Sequence, residues 1–338
     1  MTGKYMAYVG SYSYTGKAKG ITVYDVDVEA GKFIYRCEVE VDNSSYLKAS
    51  QNGQILYSIA DEGVVAFRVL SNGSLARLNS ANIRGMRGCH LSTSKADDYI
   101  FISGFHDGKI TVLNLNKDGA VGQIADGVFH KGLGSVAERS FRPHVSCSRL
   151  TPDERFLMVA DLGIDQIKVY RFDHKDGKIT LVDTIRCELE SAPKYFMFSS
   201  DGRFFYVLYE LKNMIEVYSY KEGERVPIVE KIQTIPSTGS KPNQLTAACA
   251  MHLSPDEKHL FCSNAGDNTV SMYDRDDETG MLTMRFCLPI SGDYPKDLVI
   301  FPDNQHIAVA NHSSNSVTTF KVDYEKNIIM MKGKPRKI

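Results

Sequence analysis

Polar, chemically capable residues recur where strand-forming segments begin or end. Cys89-His90, Pro143-His144, Pro193-Lys194-Tyr195 and Pro295-Lys296-Asp297 open such segments, and Asp161, Tyr209-Glu210, Ser263-Asn264 and Asn311-His312 close others. Together they offer imidazoles, ammonium groups, carboxylates and amides, which is what a site for a small anionic ligand needs: a proton acceptor, cations and orienting hydrogen bonds. Taken singly, each has a plainer reading. A lone histidine is usually a hydrogen-bonded core residue, a lone lysine a solvated one, and Asp161 or Asn311 a turn residue bonding its own backbone. Glu210 is the most pointed of them, since a glutamate directly after the apolar run Phe204 to Tyr209 is disfavoured unless something there uses it.

The elements that must bring these residues together are visible in the stretch Arg142 to Asp173. It reads as strand, turn (Thr151-Pro152-Asp153-Glu154), short apolar strand, loop and alternating strand. The turn position recurs at Gly3, Asn52, Ala96, Asp153, Asp201, Asp256 and Asp303, about 50 residues apart, which is one supersecondary unit per repeat. Third strands follow at Ile21 to Val26, Val64 to Val69, Ile110 to Leu115, Ile167 to Phe172, Ile215 to Tyr220, Val270 to Tyr273 and Val317 to Val322, and a fourth comes after a polar turn. No segment carries a convincing amphipathic helix. The expected fold is therefore all-β: one domain over residues 1–338, a seven-bladed β-propeller of four-stranded antiparallel blades. With no tryptophan, the chain is not of the WD40 type.

Antiparallel pairing puts the start of each first strand beside the end of the second. If the first strands line a central channel, all the residues named above meet at one of its mouths, the default binding site. The first unit starts at its second strand, Tyr5 to Gly10, so its innermost strand must come from elsewhere; residues around Lys334-Pro335-Arg336-Lys337 are expected to close the ring there. Two stretches rich in Gly, Ser and Lys, Gly122 to Arg142 and Pro236 to Thr246, read as extended loops.

Composition narrows the partners. A net charge of -1 gives no global field for nucleic acid or a membrane surface, and no apolar run approaches the about 18 residues of a membrane span. The N-terminus lacks the pattern of a signal peptide, so a soluble, cytoplasmic protein is expected. The seven cysteines are odd in number, widely spaced and without a C-x-x-C pair, arguing against zinc or a disulfide framework. Nucleotide, serine-hydrolase and zinc-protease motifs are missing too, so neither a cofactor nor a metal is expected. Composition leaves the oligomeric state open.

The run Pro143-His144 through Thr151-Pro152-Asp153 to Asp161-Leu162-Gly163-Ile164-Asp165 resembles the seven-bladed propeller lactonases, a family that includes 6-phosphogluconolactonases and carboxymuconate cyclases. Gly88-Cys89-His90, Val207 to Leu211, Ser263-Asn264 and Ala310-Asn311 resemble further family motifs, so the likeness covers essentially the whole chain. It implies His144, Glu210 and Lys194 as catalytic groups, Lys194 standing where the family has arginine. His90, Arg139, Asp161, Asn264, Lys296, Asn311 and His312 would contact substrate. The family's further arginine is replaced by Ala265, and lysine lacks the planar fork of arginine. The implied function is hydrolysis of a small anionic sugar lactone, or a muconate-type cycloisomerisation. In the first, Glu210 or His144 is the base, Lys194 stabilises the oxyanion, and Lys296, Arg139 and His312 hold the distal anion. The alternative is a non-catalytic propeller binding an anionic metabolite or a protein on the same face.

Overall fold

In the computed structural model, which describes residues 5–14, 16, 18–135, 141–239 and 245–338, the strands form seven antiparallel sheets arranged as blades in a ring. The chain is a seven-bladed β-propeller. Second strands such as Phe156–Asp161 and Phe204–Tyr209 are buried along their whole length, because each is flanked by a neighbouring blade on both faces. That is why they read as unbroken apolar runs. Fourth strands such as Ile228–Pro236 lie at the rim and alternate between covered and open positions.

Inner and second strands pair as expected: Val145 lies opposite Asp161, Pro193 opposite Tyr209, Ala248 opposite Asn264 and Pro295 opposite Asn311. The inner strands of blades two to seven begin at Leu47, His90, Val145, Pro193, Ala247 and Pro295. The first blade has three strands, Tyr5–Gly10, Gly20–Asp27 and Lys32–Glu40, and no inner strand among the described residues.

Two expectations need correction. Residues Arg336–Lys337 do not close the ring beside Tyr5–Gly10; they pair with Ser316 and Val317 and continue the outer edge of the seventh blade beyond Ile328–Met331. The connection left after Met331 is short, so the chain stays on the strand it was already following. The first of the two extended loops is also shorter than its composition implied. Val121–Phe129 is the fourth strand of blade three, and its alternation is hidden by two register shifts.

The turn between inner and second strands ties the blades together. From Asn52 on, the residue after each turn marker has a left-handed backbone: Gly53 (φ 69°), Asp97 (53°), Glu154 (56°), Gly202 (71°), Glu257 (55°) and Asn304 (57°). Four of these are not glycine although glycine would be less strained. Their side chains reach the preceding blade. The Asp97 carboxylate accepts the Gln51 N–H (2.7 Å), Glu154 that of Lys95 (2.6 Å), Glu257 that of Ser200 (2.9 Å), and the Asn304 amide oxygen that of Asp256 (3.1 Å). The bond between blades offsets the local strain. Replacing Glu257 by alanine removes the bond and keeps the unfavourable φ, so it should destabilise by about 1–2 kcal/mol, with glycine in its place costing less; urea unfolding of the two variants checks the order.

Candidate functional site

Just inside the channel mouth the inner strands share an irregularity. The register slips by one residue between Val145 and Cys147, Pro193 and Tyr195, Ala248 and Ala250, and Pro295 and Asp297. Ser146, Lys194, Cys249 and Lys296 are the extra residues. A bulge re-aims its side chain, and here it does so at one level in four consecutive blades. The same level is laced around the ring: the Ser45 hydroxyl donates to the Gly88 carbonyl (3.3 Å), the Cys89 thiol to that of Val145 (3.4 Å), and the Ser146 hydroxyl to that of Pro193 (3.0 Å).

Both bulged lysines follow a strained lead-in. Ala192 and Tyr294, each before a proline, have φ of 58°, a sparsely populated backbone for a side-chain-bearing residue. Neighbouring blades hold them there. The buried Asp165 carboxylate accepts the N–H groups of Glu190 and Ala192 (both 2.8 Å), and the Asn268 amide oxygen that of Tyr294 (2.9 Å). Backbone strain is thus fixed where the site needs its lysines.

Lys194 forms an ion pair with Glu210. Burial works against the charge on Lys194, but the Glu210 carboxylate outweighs it and the net shift is upward, so the lysine stays protonated. Burial pushes the nearby Cys89 thiol up to about 12 against the fields of Lys194 and Lys296, which removes it as a nucleophile at neutral pH.

His144 is fixed on three sides. Its Nδ1 lies 2.7 Å from the Phe105 carbonyl, its ring stacks on that of Phe105 at 4.3 Å between centroids, and its own N–H donates to Asp161 Oδ1 (2.8 Å). A carbonyl can only accept, so Nδ1 carries the proton and Nε2 is left as the acceptor. Nε2 has no partner among the described residues.

Several groups at the mouth escaped sequence reasoning. Two cations approach the Tyr12 ring, Arg87 at 5.1 Å and Lys296 at 5.4 Å from its centroid, and the ring meets His312 edge-on at 5.6 Å. Arg87 also pairs with Asp61 (2.9 Å). His106 is shifted down by burial and then by the fields of Arg87, His144 and Arg142. Arg142 stands immediately before the strand-opening Pro143-His144, and Arg87 one residue further back before Cys89-His90; that similar placement was the available signal.

Other expected contacts lie elsewhere. Asp161 is fully buried and saturated: Oδ1 accepts the N–H groups of His144 and Gly163, and Oδ2 sits 2.7 Å from His130 Nδ1. It positions His144 and does not reach a ligand. Asn264 is likewise buried, donating to the Ser237 carbonyl (2.9 Å). His90 sits one residue inside the bulge level, tilted against Tyr46 (4.8 Å between centroids) and near Tyr195 (5.8 Å). Burial, with the fields of Arg149 and Lys48, holds its pKa well below the usual value, so it remains neutral. Asn311 is buried, with its Nδ2 on the Thr318 hydroxyl (3.1 Å). Lys296 and His312 are exposed at the mouth, and Arg139 lies outside the described residues. Among the described residues no cluster of three or more His, Cys, Asp or Glu could hold a metal ion.

Glu210 has little exposure, so removing Lys194 takes a charge-assisted bond from a nearly enclosed carboxylate. Lys194→Met should destabilise by about 2 kcal/mol, less than a fully enclosed pair would because the lysine side chain is 28% exposed. Adding Glu210→Gln should recover part of the loss, and a double-mutant cycle in urea measures that coupling.

Comparison with known proteins identifies relatives of the whole chain. The chain is 27% identical over 308 residues to the 6-phosphogluconolactonase of Bacillus subtilis, covering 88% of this chain and 86% of that protein. A solved structure from Bacteroides fragilis superimposes with a TM-score of 0.90 at 29% identity, covering 100% of this chain and 96% of that one. The periplasmic gluconolactonase of Pseudomonas aeruginosa shares the fold, with a TM-score of 0.92 at 23% identity over 99% and 96% of the two chains. The family model for the seven-bladed β-propeller lactonases matches residues 6–336, and the chain belongs to that family.

Proposed function

We propose that the protein is a lactonase that hydrolyses a phosphorylated sugar lactone of the 6-phosphogluconolactone type. The observation that carries the reading is His144: its Nδ1 is committed to the Phe105 carbonyl, its Nε2 has no partner among the described residues, and Lys194 and Lys296 stand at the bulges of nearby inner strands. The named relative from Bacillus subtilis supports the substrate class.

In this mechanism a water attacks the ring carbonyl while His144 Nε2 takes its proton. The charge that develops on the carbonyl oxygen is met by the Lys194 ammonium. When the ring C–O bond breaks, the imidazolium returns the proton to the leaving alkoxide, and the product is the open-chain carboxylate. Glu210 keeps Lys194 charged and aimed, which makes it a positioning residue. Lys296, with Arg87 across the Tyr12 ring, holds the phosphate.

Acid release measured above the spontaneous hydrolysis of the lactone tests this. His144→Gln should lower kcat on 6-phosphogluconolactone by about 10²–10⁴ with little change in KM. Lys296→Met should raise KM about tenfold or more for the phosphorylated lactone and leave that for the unphosphorylated sugar lactone unchanged. Saturable binding of 6-phosphogluconate with no turnover of any lactone would mean a binding propeller instead.

A further inference from the structure

Further along the inner strands, away from the bulges, basic residues gather at a second height. Lys48, Ser92, Arg149, Met197, His252 and Val299 each pair with the third residue of their blade's second strand, so they stand level in blades two to seven. Serine, methionine and valine at three of these places show that the repeat needs no charge there. Lys48 and Arg149 are nevertheless half-buried cations, and only the short Ser92, turned to the Ser148 carbonyl (2.7 Å), stands between their strands.

Two residues nearer the mouth, and so on the same side of the strands, Tyr46, His90 and Tyr195 form a layer of rings, 4.8 and 5.8 Å between successive centroids. Arg149 is tied to this layer. Its Nε donates to the Phe196 carbonyl (2.9 Å), its Nη2 donates to the Tyr195 hydroxyl, and its guanidinium carbon lies 5.0 Å from the Tyr195 centroid. Two of its five N–H groups are used in this way, and the others have no partner among the described residues. Burial pushes the Tyr46 and Tyr195 hydroxyls up, so both stay neutral and neither offsets the guanidinium charge.

Lys48 makes no hydrogen bond or ion pair among the described residues, and burial, then the Arg149 cation, pushes its pKa down. The nearby carboxylates are engaged elsewhere: Asp297 Oδ1 lies 3.0 Å from His252 Nε2, and Asp97 accepts the Gln51 N–H (2.7 Å). Two cations that repel each other are thus held at one height with unused donors. We propose that Lys48 and Arg149 form a second anion site, beyond the ring layer from the mouth, which binds a small oxyanion of the phosphate class between them. A tetrahedral oxyanion suits the donors: the free edge of the guanidinium takes one or two of its oxygens, and the ammonium takes another. Inorganic phosphate and the phosphate group of a metabolite share this chemistry.

Titration of the 338-residue protein with inorganic phosphate, followed by the imidazole NMR signals of His90 and His252, tests this without reference to lactone turnover. Both signals should move saturably with one Kd, and chloride at the same ionic strength should move neither. Titration with 6-phosphogluconate runs alongside, and the tighter of the two ligands names the source of the phosphate. Lys48→Met breaks no bond of the fold, so it should leave the melting temperature unchanged and weaken phosphate binding about tenfold or more. Arg149→Met should abolish binding, with a loss of stability from its broken bonds to blade five. Lys296→Met, at the mouth, should leave the Kd read at His252 unchanged. The proposal is overturned if phosphate moves only His144 and His312 or no imidazole at all, if chloride reproduces the shifts, or if Lys48→Met binds as tightly as the unaltered chain.

Discussion

One extra residue at the start of an inner strand decides where this protein can do chemistry. Without the bulge, the alternation of a strand would turn Lys194 and Lys296 into the packed space between blades, where an ammonium group has no water and few partners. With it, both point into the mouth while the strand beyond keeps its register. The same displacement at Ser146 and Cys249 shows that it belongs to the repeat; the chemistry comes from which residue each blade places there.

Holding that geometry takes contacts between blades, since each sheet pairs only with itself. At the turn face, side chains of residues with left-handed backbones accept bonds from the blade before, and at the mouth Ser45, Cys89 and Ser146 donate to the blade after. Asp165 adds a third kind of link, reaching from the fourth blade to fix the residues that precede Lys194. An acidic residue in a left-handed turn looks like a local fault. Around this ring it is a tie between neighbours.

These long-range ties explain what could be read from the sequence and what could not. Repeat length, the third strands and the meeting of Lys194 with Glu210 follow from local periodicity and antiparallel pairing, so they were legible. Asp161 looked like a ligand contact because its sequence position is right for the mouth. Only the fold shows its oxygens occupied by His144, Gly163 and His130. Arg87 and Tyr12 are 75 residues apart on irregular segments, and no period relates them. The C-terminal strand was misplaced for a related reason. Arg336–Lys337 carries the composition of a strand opening, but composition does not say which open edge a short strand will take.

The lysine at position 194, where the family resemblance implies an arginine, can be understood from its partner. A guanidinium grips two oxygens in a plane, while an ammonium is a point charge that suits the single Glu210 oxygen it meets. The Lys194–Glu210 pair is neutral overall, so at a distance it does little to attract an anion. At contact its positive end is still present, held protonated by the carboxylate behind it. Lys296 and Arg142, by contrast, have no carboxylate partner among the described residues, and their charge extends into the mouth. The division suits the proposed hydrolysis, in which uncompensated cations would bind the anionic ground state and a compensated, preorganised one would act where charge appears only in the transition state.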